Sequence, residues 1–206
     1  MRTRVKICGI TRVEDARAAA EAGADAIGLV FYPPSPRYLD LERAREVRFS
    51  LPPFVAPVAL FVNADTETVL EVVQRVKPDL LQFHGEETPE FCAGFGLPYL
   101  KACRVKPGVD LIKYLLPYRG AAGWLADAYV EGYGGAGTSF DWSLIPKIRP
   151  RPLVLSGGLT VTNVADAIRR VRPWGVDVSS GVETARGVKD AAKIAAFVAE
   201  VKNADL

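Results

Sequence analysis

The first residue that could carry acid–base chemistry is Cys8. It ends the apolar run Val5-Lys6-Ile7, and a helical pattern begins at Val13, so the thiol is predicted at the carboxyl end of a β-strand. α/β proteins place chemistry at such strand ends, and a thiolate can act as a base or a nucleophile. The other interpretation is a small buried hydrophobe, which describes most free cysteines.

A carboxyl group on a later predicted strand is the second candidate. Side chains alternate along a strand, so Asp127 shares one face with Gly123 and Leu125, and this face does not resemble a solvent-exposed one. Buried acids are rare unless they are paired or used. Asp127 is therefore either an ion-pair partner or a catalytic group.

Two lysines share a strand face with a cysteine, Lys6 with Cys8 and Lys101 with Cys103. If these faces point into the protein, each ammonium needs a counter-charge, because an unpaired buried charge costs several kcal/mol. We expect Lys6 or Lys101 to lie near Asp127 or Asp177, the latter on the last predicted strand.

Two glycine-containing loops could bind a phosphate. Gly157-Gly158 follows the seventh predicted strand, and Ser180-Gly181 follows the eighth. Small residues expose backbone N–H groups, and the loops after the last two strands of an eight-stranded barrel are the usual phosphate site. Ordinary turns are the alternative.

Two other polar side chains follow predicted strands. Arg37 comes after a proline-rich stretch that restricts its backbone, which suits a carboxylate or phosphate contact as well as an exposed arginine. His84 is the only histidine. It could be a general acid or base, but a hydrogen-bonded supporting role is the favoured interpretation.

The elements that would position these residues alternate along the chain. Predicted strands cover 5–7, 26–31, 56–62, 80–83, 99–104, 123–128, 153–156 and 175–179, and predicted helices cover 13–22, 40–49, 65–76, 88–94, 109–118, 142–148, 162–171 and 191–201. Such alternation indicates parallel βαβ units. Eight repeats predict an α/β fold, a single-domain (β/α)8 TIM barrel over residues 1–206, compact beside the ~250 residues usual for this fold.

Composition excludes several classes of protein. Hydrophobic residues make up 49% of the 206-residue chain and the formal net charge is +2, which predicts a soluble globular protein without a nucleic-acid partner. No apolar run is long enough for a membrane span, and no signal peptide is visible. Three widely spaced cysteines indicate reduced thiols in the cytoplasm, and a single histidine makes a metal site an unfavoured interpretation.

Taken together, the motifs resemble the phosphoribosylanthranilate isomerase family of tryptophan biosynthesis. They run in order through nearly the whole chain: Lys6-Ile-Cys-Gly-Ile-Thr11, Ser35-Pro-Arg37, Gln82-Phe-His-Gly85, Leu125-Ala-Asp-Ala128, the stretch 134–142, Ser156-Gly-Gly-Leu159 and Val176-Asp-Val-Ser-Ser-Gly-Val-Glu183. The resemblance implies an Amadori rearrangement of N-(5-phosphoribosyl)anthranilate without a metal or an organic cofactor.

The resemblance also implies roles for individual residues. Cys8 matches the family's general base and Asp127 its general acid, Arg37 matches the group that holds the anthranilate carboxylate, and Asp177 matches an acid near the sugar hydroxyls. The backbone of Gly157, Gly158, Ser180 and Gly181 matches the phosphate site. In the sixth loop, Ala136 and Thr138 stand where a hydroxyl residue and a basic residue are expected.

Alternatives remain within and outside enzymes. A related isomerase of histidine biosynthesis would carry an acid on the first strand, and a metal-dependent epimerase would need more than one histidine. Indole-glycerol-phosphate synthase is a further sugar-phosphate barrel. A non-catalytic sensor of a phosphorylated metabolite would give Cys8 and Asp127 no role. The sequence leaves open whether the chain is a monomer or a homodimer.

Overall fold

A computed structural model describes residues 2–128 and 141–205. Eight parallel strands follow one another in chain order and close into a barrel. The strands are β1 Arg4–Cys8, β2 Ala26–Val30, β3 Ala56–Phe61, β4 Leu80–Phe83, β5 Tyr99–Val105, β6 Gly123–Ala128, β7 Leu153–Leu155 and β8 Gly175–Val178. All eight predicted strands are confirmed, and the predicted barrel is confirmed with them.

Seven α-helices lie in the described ranges. They are α1 Val13–Ala22, α2 Leu41–Phe49, α3 Thr66–Val76, α4 Pro89–Ala93, α5 Leu111–Leu115, α6 Val164–Val171 and α7 Ala191–Ala204. The helix predicted over 142–148 is wrong, because only a short 3-10 helix, Trp142–Leu144, forms there. Pro146 disfavours helical geometry at the preceding residue, and Ile145 is extended, with φ −86° and ψ 120°.

One small element after β8 was not predicted. A 3-10 helix, Ser180–Val182, leads into an antiparallel hairpin of two short strands, β9 Glu183–Ala185 and β10 Val188–Lys189. In chain order, the hairpin lies between β8 and α7. It brings two charged side chains, Glu183 and Lys189, to the carboxyl end of the barrel.

Because side chains alternate along each strand, one set points outward to the helices and the other points into the barrel. Outward side chains such as Val5 and Ile7 join the main core between the barrel and its helices. Inward side chains form two smaller apolar clusters inside the barrel, one around Cys8 and one around Leu125. Cys8 therefore points into the barrel, as strand parity predicted, and Lys6 lies one layer below it on the same face.

Candidate active site

The carboxyl ends of the strands surround one cleft. Every predicted site residue lines it except Gly181, whose neighbour Ser180 does. The cleft-lining residues include Cys8, Arg37, His84, Asp127, Gly157, Gly158, Asp177 and Ser180. The topology thus brings together residues that lie up to 172 positions apart, as the interval from Cys8 to Ser180 shows.

Cys8 lies in an apolar pocket beside a cation. Its side chain is 8% exposed and packs against Val30, Leu60 and Val62. Gly28 on β2 leaves room for it, since a Cβ at that position would lie 2.6 Å from Cys8 Sγ and 3.0 Å from Lys6 Nζ. Burial raises the pKa of the Cys8 thiol above its ordinary value, although the neighbouring Lys6 ammonium opposes this shift.

Lys6 pairs with Asp177, as the sequence predicted. Their Nζ and Oδ1 atoms are 2.9 Å apart, and both side chains are almost fully buried. The strands place them opposite each other, because Lys6 on β1 is in register with Asp177 on β8 where the barrel closes. Burial alone would lower the pKa of Lys6, but Asp177 and Cys8 together outweigh it, so the pKa lies above its ordinary value.

Lys101 has a partner that the sequence did not predict. Its ammonium is fully buried and lies 2.8 Å from Glu87 Oε2, not beside Asp127 or Asp177. Glu87 comes from the loop after β4, and it also accepts N–H groups from Asn63 and Gly85. The exposed-looking segment Gly85-Glu86-Glu87 gave no signal that its last carboxylate would be buried.

Asp127 is hydrogen-bonded to the only histidine. His84 Nε2 lies 3.0 Å from Asp127 Oδ2, and the Ala128 N–H donates to Asp127 Oδ1 at 3.0 Å. The other ring nitrogen of His84 lies 3.2 Å from Gln82 Nε2. His84 therefore touches the proposed acid directly, in agreement with a hydrogen-bonded supporting position.

The Gln82 amide determines the direction of this hydrogen-bond chain. In the orientation described, its NH2 donates to His84 Nδ1, so Nε2–H donates to the Asp127 carboxylate. Gln82 Oε1 is then buried and has no partner among residues 2–128 and 141–205. With the amide rotated by half a turn, Oε1 accepts from Nδ1–H and Nε2 accepts a proton from neutral Asp127. The second arrangement gives Oε1 a partner, but it moves the Gln82 NH2 group to the position without one.

Arg37 is not the exposed arginine that the local sequence allowed. It is 6% exposed, and Nε and Nη2 contact the two carboxylate oxygens of Glu183 at 2.7 and 2.8 Å. This bidentate contact places the guanidinium at the edge of the cleft. Sequence reasoning missed Glu183 as its partner, because 146 residues separate the two.

The two glycine loops meet as the phosphate hypothesis requires. Gly157 and Gly158 have φ of +85° and +64°, and within the described ranges their N–H groups have no protein acceptor. A Cβ at Gly181 would lie 1.9 Å from Leu159 O, so only glycine permits the loops to touch. Asn163, which sequence reasoning missed, fixes the first loop by donating to Gly158 O at 2.9 Å.

Ala136 and Thr138, and most of the motif 134–142, lie outside the described residues. Across residues 2–128 and 141–205, no group of three or more His, Cys, Asp or Glu side chains is placed to hold a metal ion. Over the same ranges, no helix has both the length and the apolar character needed to cross a membrane.

The fold and cleft define a class of protein. A (β/α)8 barrel with an inward thiol, a carboxyl group and two touching glycine loops at its carboxyl end is built like an enzyme that acts on a small phosphorylated substrate. Comparison with known proteins gives the family. Residues 5–200 match the family model described as N-(5'phosphoribosyl)anthranilate (PRA) isomerase, and the chain belongs to this family.

Individual relatives agree with the family match. The N-(5'-phosphoribosyl)anthranilate isomerases of Dechloromonas aromatica and Pseudomonas paraeruginosa are 57% and 60% identical, over 100% and 97% of this chain and 99% and 95% of their own. The crystal structure of phosphoribosyl anthranilate isomerase from Thermotoga maritima is 47% identical, with a TM-score of 0.91 over 98% of this chain and 99% of its own.

A second similar crystal structure is that of a phosphoribosyl anthranilate isomerase in complex with a ligand. It contains reduced 1-(o-carboxyphenylamino)-1-deoxyribulose 5-phosphate. It is 45% identical to this chain, with a TM-score of 0.87, and covers 98% of this chain and 99% of its own.

Proposed function

We propose that this protein converts N-(5'-phosphoribosyl)anthranilate to 1-(2-carboxyphenylamino)-1-deoxyribulose 5-phosphate in tryptophan biosynthesis, with Cys8 as base and Asp127 as acid. The observation that carries the proposal is the position of both side chains in one cleft with the two glycine loops, in a chain of this family. The apolar residues around Cys8 suit an aromatic ring, and Arg37 at the rim suits its carboxylate.

The proposed reaction begins at Asp127. Its carboxylic acid gives a proton to the furanose ring oxygen, the bond from that oxygen to C1 breaks, and the nitrogen lone pair forms a protonated Schiff base. This cation acidifies C2–H, and the Cys8 thiolate removes the proton. The electron pair of the C–H bond neutralises the Schiff base, giving an enolamine that tautomerises to the ketone. Each proton transfer contributes about 10²–10⁴ in rate.

The remaining residues bind the substrate in this proposal. The N–H groups of Gly157 and Gly158 and the backbone of Ser180 and Gly181 hold the phosphate. Asp177, which lines the cleft, accepts a hydrogen bond from a sugar hydroxyl while Lys6 holds its Oδ1. No resident metal or organic cofactor enters the steps above.

The proposal extends to the setting of the enzyme. We infer one catalytic domain over residues 1–206, acting in the cytoplasm on a small phosphorylated molecule and not on nucleic acid. A structure of monomers derived from the dimeric enzyme of Thermotoga maritima has a TM-score of 0.86 with this chain. For this protein, monomer and homodimer both remain open as proposals.

The loss of phosphoribosylanthranilate fluorescence with purified protein tests the function. We expect turnover by the wild type and by Cys103→Ala, and almost none by Cys8→Ala. Cys103 is the matched control, because it is a buried barrel thiol that faces the helices and not the cleft. Binding of the substrate without turnover by the wild type would favour the sensor instead.

A further inference from the structure

Three charged side chains form a buried cluster at the edge of the cleft. The side chains of Arg37, Glu183 and Lys189 are 7%, 5% and 0% exposed. Glu183 Oε1 accepts from Arg37 Nε at 2.7 Å and from Lys189 Nζ at 2.8 Å, while Oε2 accepts from Arg37 Nη2 at 2.8 Å. The proposed reaction gives Glu183 and Lys189 no task, although burying such charges is costly.

The Glu183 contact determines which edge of the guanidinium is available. A guanidinium carries five N–H donors in a fixed planar fork. Glu183 occupies the edge formed by Nε and Nη2. Glu183 does not use the end formed by Nη1 and the second hydrogen of Nη2, and no hydrogen bond from Nη1 to an acceptor is formed within the described ranges. Because Arg37 lines the cleft, this end is the one offered to a ligand.

The aliphatic stem of Arg37 is fixed as well. A Cβ at Gly9 would lie 2.4 Å from Arg37 Cδ and 3.1 Å from Ser179 Oγ, and Gly9 has φ of +70°. The stem therefore lies directly against the backbone that follows Cys8. With both its stem and one edge of its head held, Arg37 loses little side-chain entropy when a ligand binds.

Lys189 completes the support and leaves the cluster positively charged. Its ammonium also donates to Ser179 O at 3.1 Å and Ser179 Oγ at 3.2 Å, which links the cluster to the loop containing Ser180. Two cations and one anion leave one positive charge for an incoming anion. Burial would raise the pKa of Glu183, but Arg37 and Lys189 outweigh it, so the pKa is lowered and the carboxylate stays ionised.

We propose that Glu183, supported by Lys189, is the positioning residue that presents the Nη1–Nη2 end of Arg37 to the aryl carboxylate of the substrate. The inference rests on the proposed function, because it takes the carboxylate to be that of the anthranilate ring. A carboxylate meeting this end forms two parallel hydrogen bonds in one plane. Glu183 thus sets the affinity for the carboxylate-bearing ring without touching the substrate.

Two probes separate this role from a general structural one. The reduced product analogue carries the aryl carboxylate, whereas ribulose 5-phosphate carries only the sugar phosphate. For Glu183→Gln we expect the KM for phosphoribosylanthranilate and the Ki of the reduced analogue to rise about tenfold or more, as for loss of a charge-assisted pair. We expect kcat and the Ki of ribulose 5-phosphate to stay within about threefold. Glu46→Gln, on an exposed carboxylate, is the matched control and should change none of these.

A double-mutant cycle tests whether Glu183 acts through Arg37. In the Arg37→Ala background, Glu183→Gln should raise KM no further. An equal rise in that background, or an equal rise in the Ki of ribulose 5-phosphate, would overturn the inference. Glu183→Asp, which keeps the charge but shortens the reach, should weaken carboxylate binding in the same direction, so the test survives if Glu183→Gln does not fold.

Two different outcomes separate an error about the role of Glu183 from an error about the proposed function. If the wild type binds the reduced analogue but does not turn over phosphoribosylanthranilate, the function is wrong, and the Ki comparison between wild type and Glu183→Gln still decides the role of Glu183. If the wild type turns the substrate over and Glu183→Gln does so with unchanged KM, only the inference about Glu183 is wrong.

Discussion

At the scale of single residues, the charges around Cys8 shift the pKa of its thiol in opposite directions. Lys6 and Lys189 favour the thiolate, whereas burial and the Asp177 carboxylate disfavour it. Burial is the largest effect, so the pKa of Cys8 lies above its ordinary value. The proposed reaction needs the Cys8 thiolate together with a protonated Asp127. In the active form, the two side chains therefore hold one proton between them, and it is on Asp127.

The raised pKa of Cys8 predicts the alkaline limit of activity. As pH rises through the Cys8 pKa, the pair loses its shared proton, so kcat/KM should fall only above the ordinary thiol value of about 8.5. The ionisation is measured directly as the difference in thiolate ultraviolet absorbance between wild type and Cys8→Ala. A midpoint of the thiolate absorbance change near neutral pH would contradict a Cys8 pKa that burial raises.

The contact between His84 and Asp127 predicts a kinetic effect without a binding effect. His84→Asn removes the Nε2 partner that orients the carboxyl group and shares its proton, so kcat should fall about tenfold to a hundredfold while KM changes little. Steady-state kinetics on phosphoribosylanthranilate provide the measurement. A rise in KM with unchanged kcat would instead place His84 in substrate binding.

At the scale of elements, the sequence predicted the eight strands and seven of the eight helices correctly and missed the hairpin β9–β10. The eight strands are apolar runs bounded by helical patterns, and their pairing follows from βαβ geometry. Cys8 and Asp127 were placed correctly because alternation fixes the face of a strand side chain. The hairpin β9–β10 is too short and too polar to give a periodic signal, so the buried Glu183 and Lys189 could not be predicted.

The close approach of β1 and β2 predicts that Gly28→Ala disturbs catalysis. A new Cβ would lie 2.6 Å from Cys8 Sγ and 3.1 Å from Cys8 Cα, so the thiol must move. We expect kcat to fall about tenfold or more, and overpacking to cost about 1–3 kcal/mol of stability. The two effects are measured by steady-state kinetics and by urea unfolding.

Gly120→Ala is the control for this substitution, since its Cβ would meet only ordinary contacts, the nearest being Tyr99 Oη at 3.4 Å. It should leave kcat unchanged. A Gly28→Ala protein with normal kcat would show that the thiol has room that the geometry does not indicate.

At the scale of the whole molecule, a buried charge pair between the barrel and its surrounding elements holds loops to the fold. Lys101 and Glu87 are 0% and 2% exposed, and Glu87 connects the loops after β3 and β4 to strand β5. The sequence predicted that Lys6 or Lys101 lies near Asp127 or Asp177, which the Lys6–Asp177 pair confirms, but it gave no indication of Glu87 as the partner of Lys101. Glu87 lies on a loop, where alternation gives no information about direction.

Removing the Lys101 charge should destabilise the whole barrel. Lys101→Met leaves the Glu87 carboxylate buried without its cation, which typically costs about 3–5 kcal/mol. The free energy of unfolding in urea measures this loss. Lys113→Met, on the exposed face of α5, should change it by less than about 0.5 kcal/mol. Equal stability of the two variants would contradict a structural role for the buried pair.

In the proposed reaction, Cys8 and Asp127 carry out the two proton transfers in one cleft. The most direct test of these roles is the measurement of kcat and KM on phosphoribosylanthranilate for Cys8→Ala and Asp127→Asn beside the wild type. We predict that each substitution lowers kcat by about 10²–10⁴ while KM changes by a few-fold at most. Near-normal turnover by either variant would contradict the assignment of that residue.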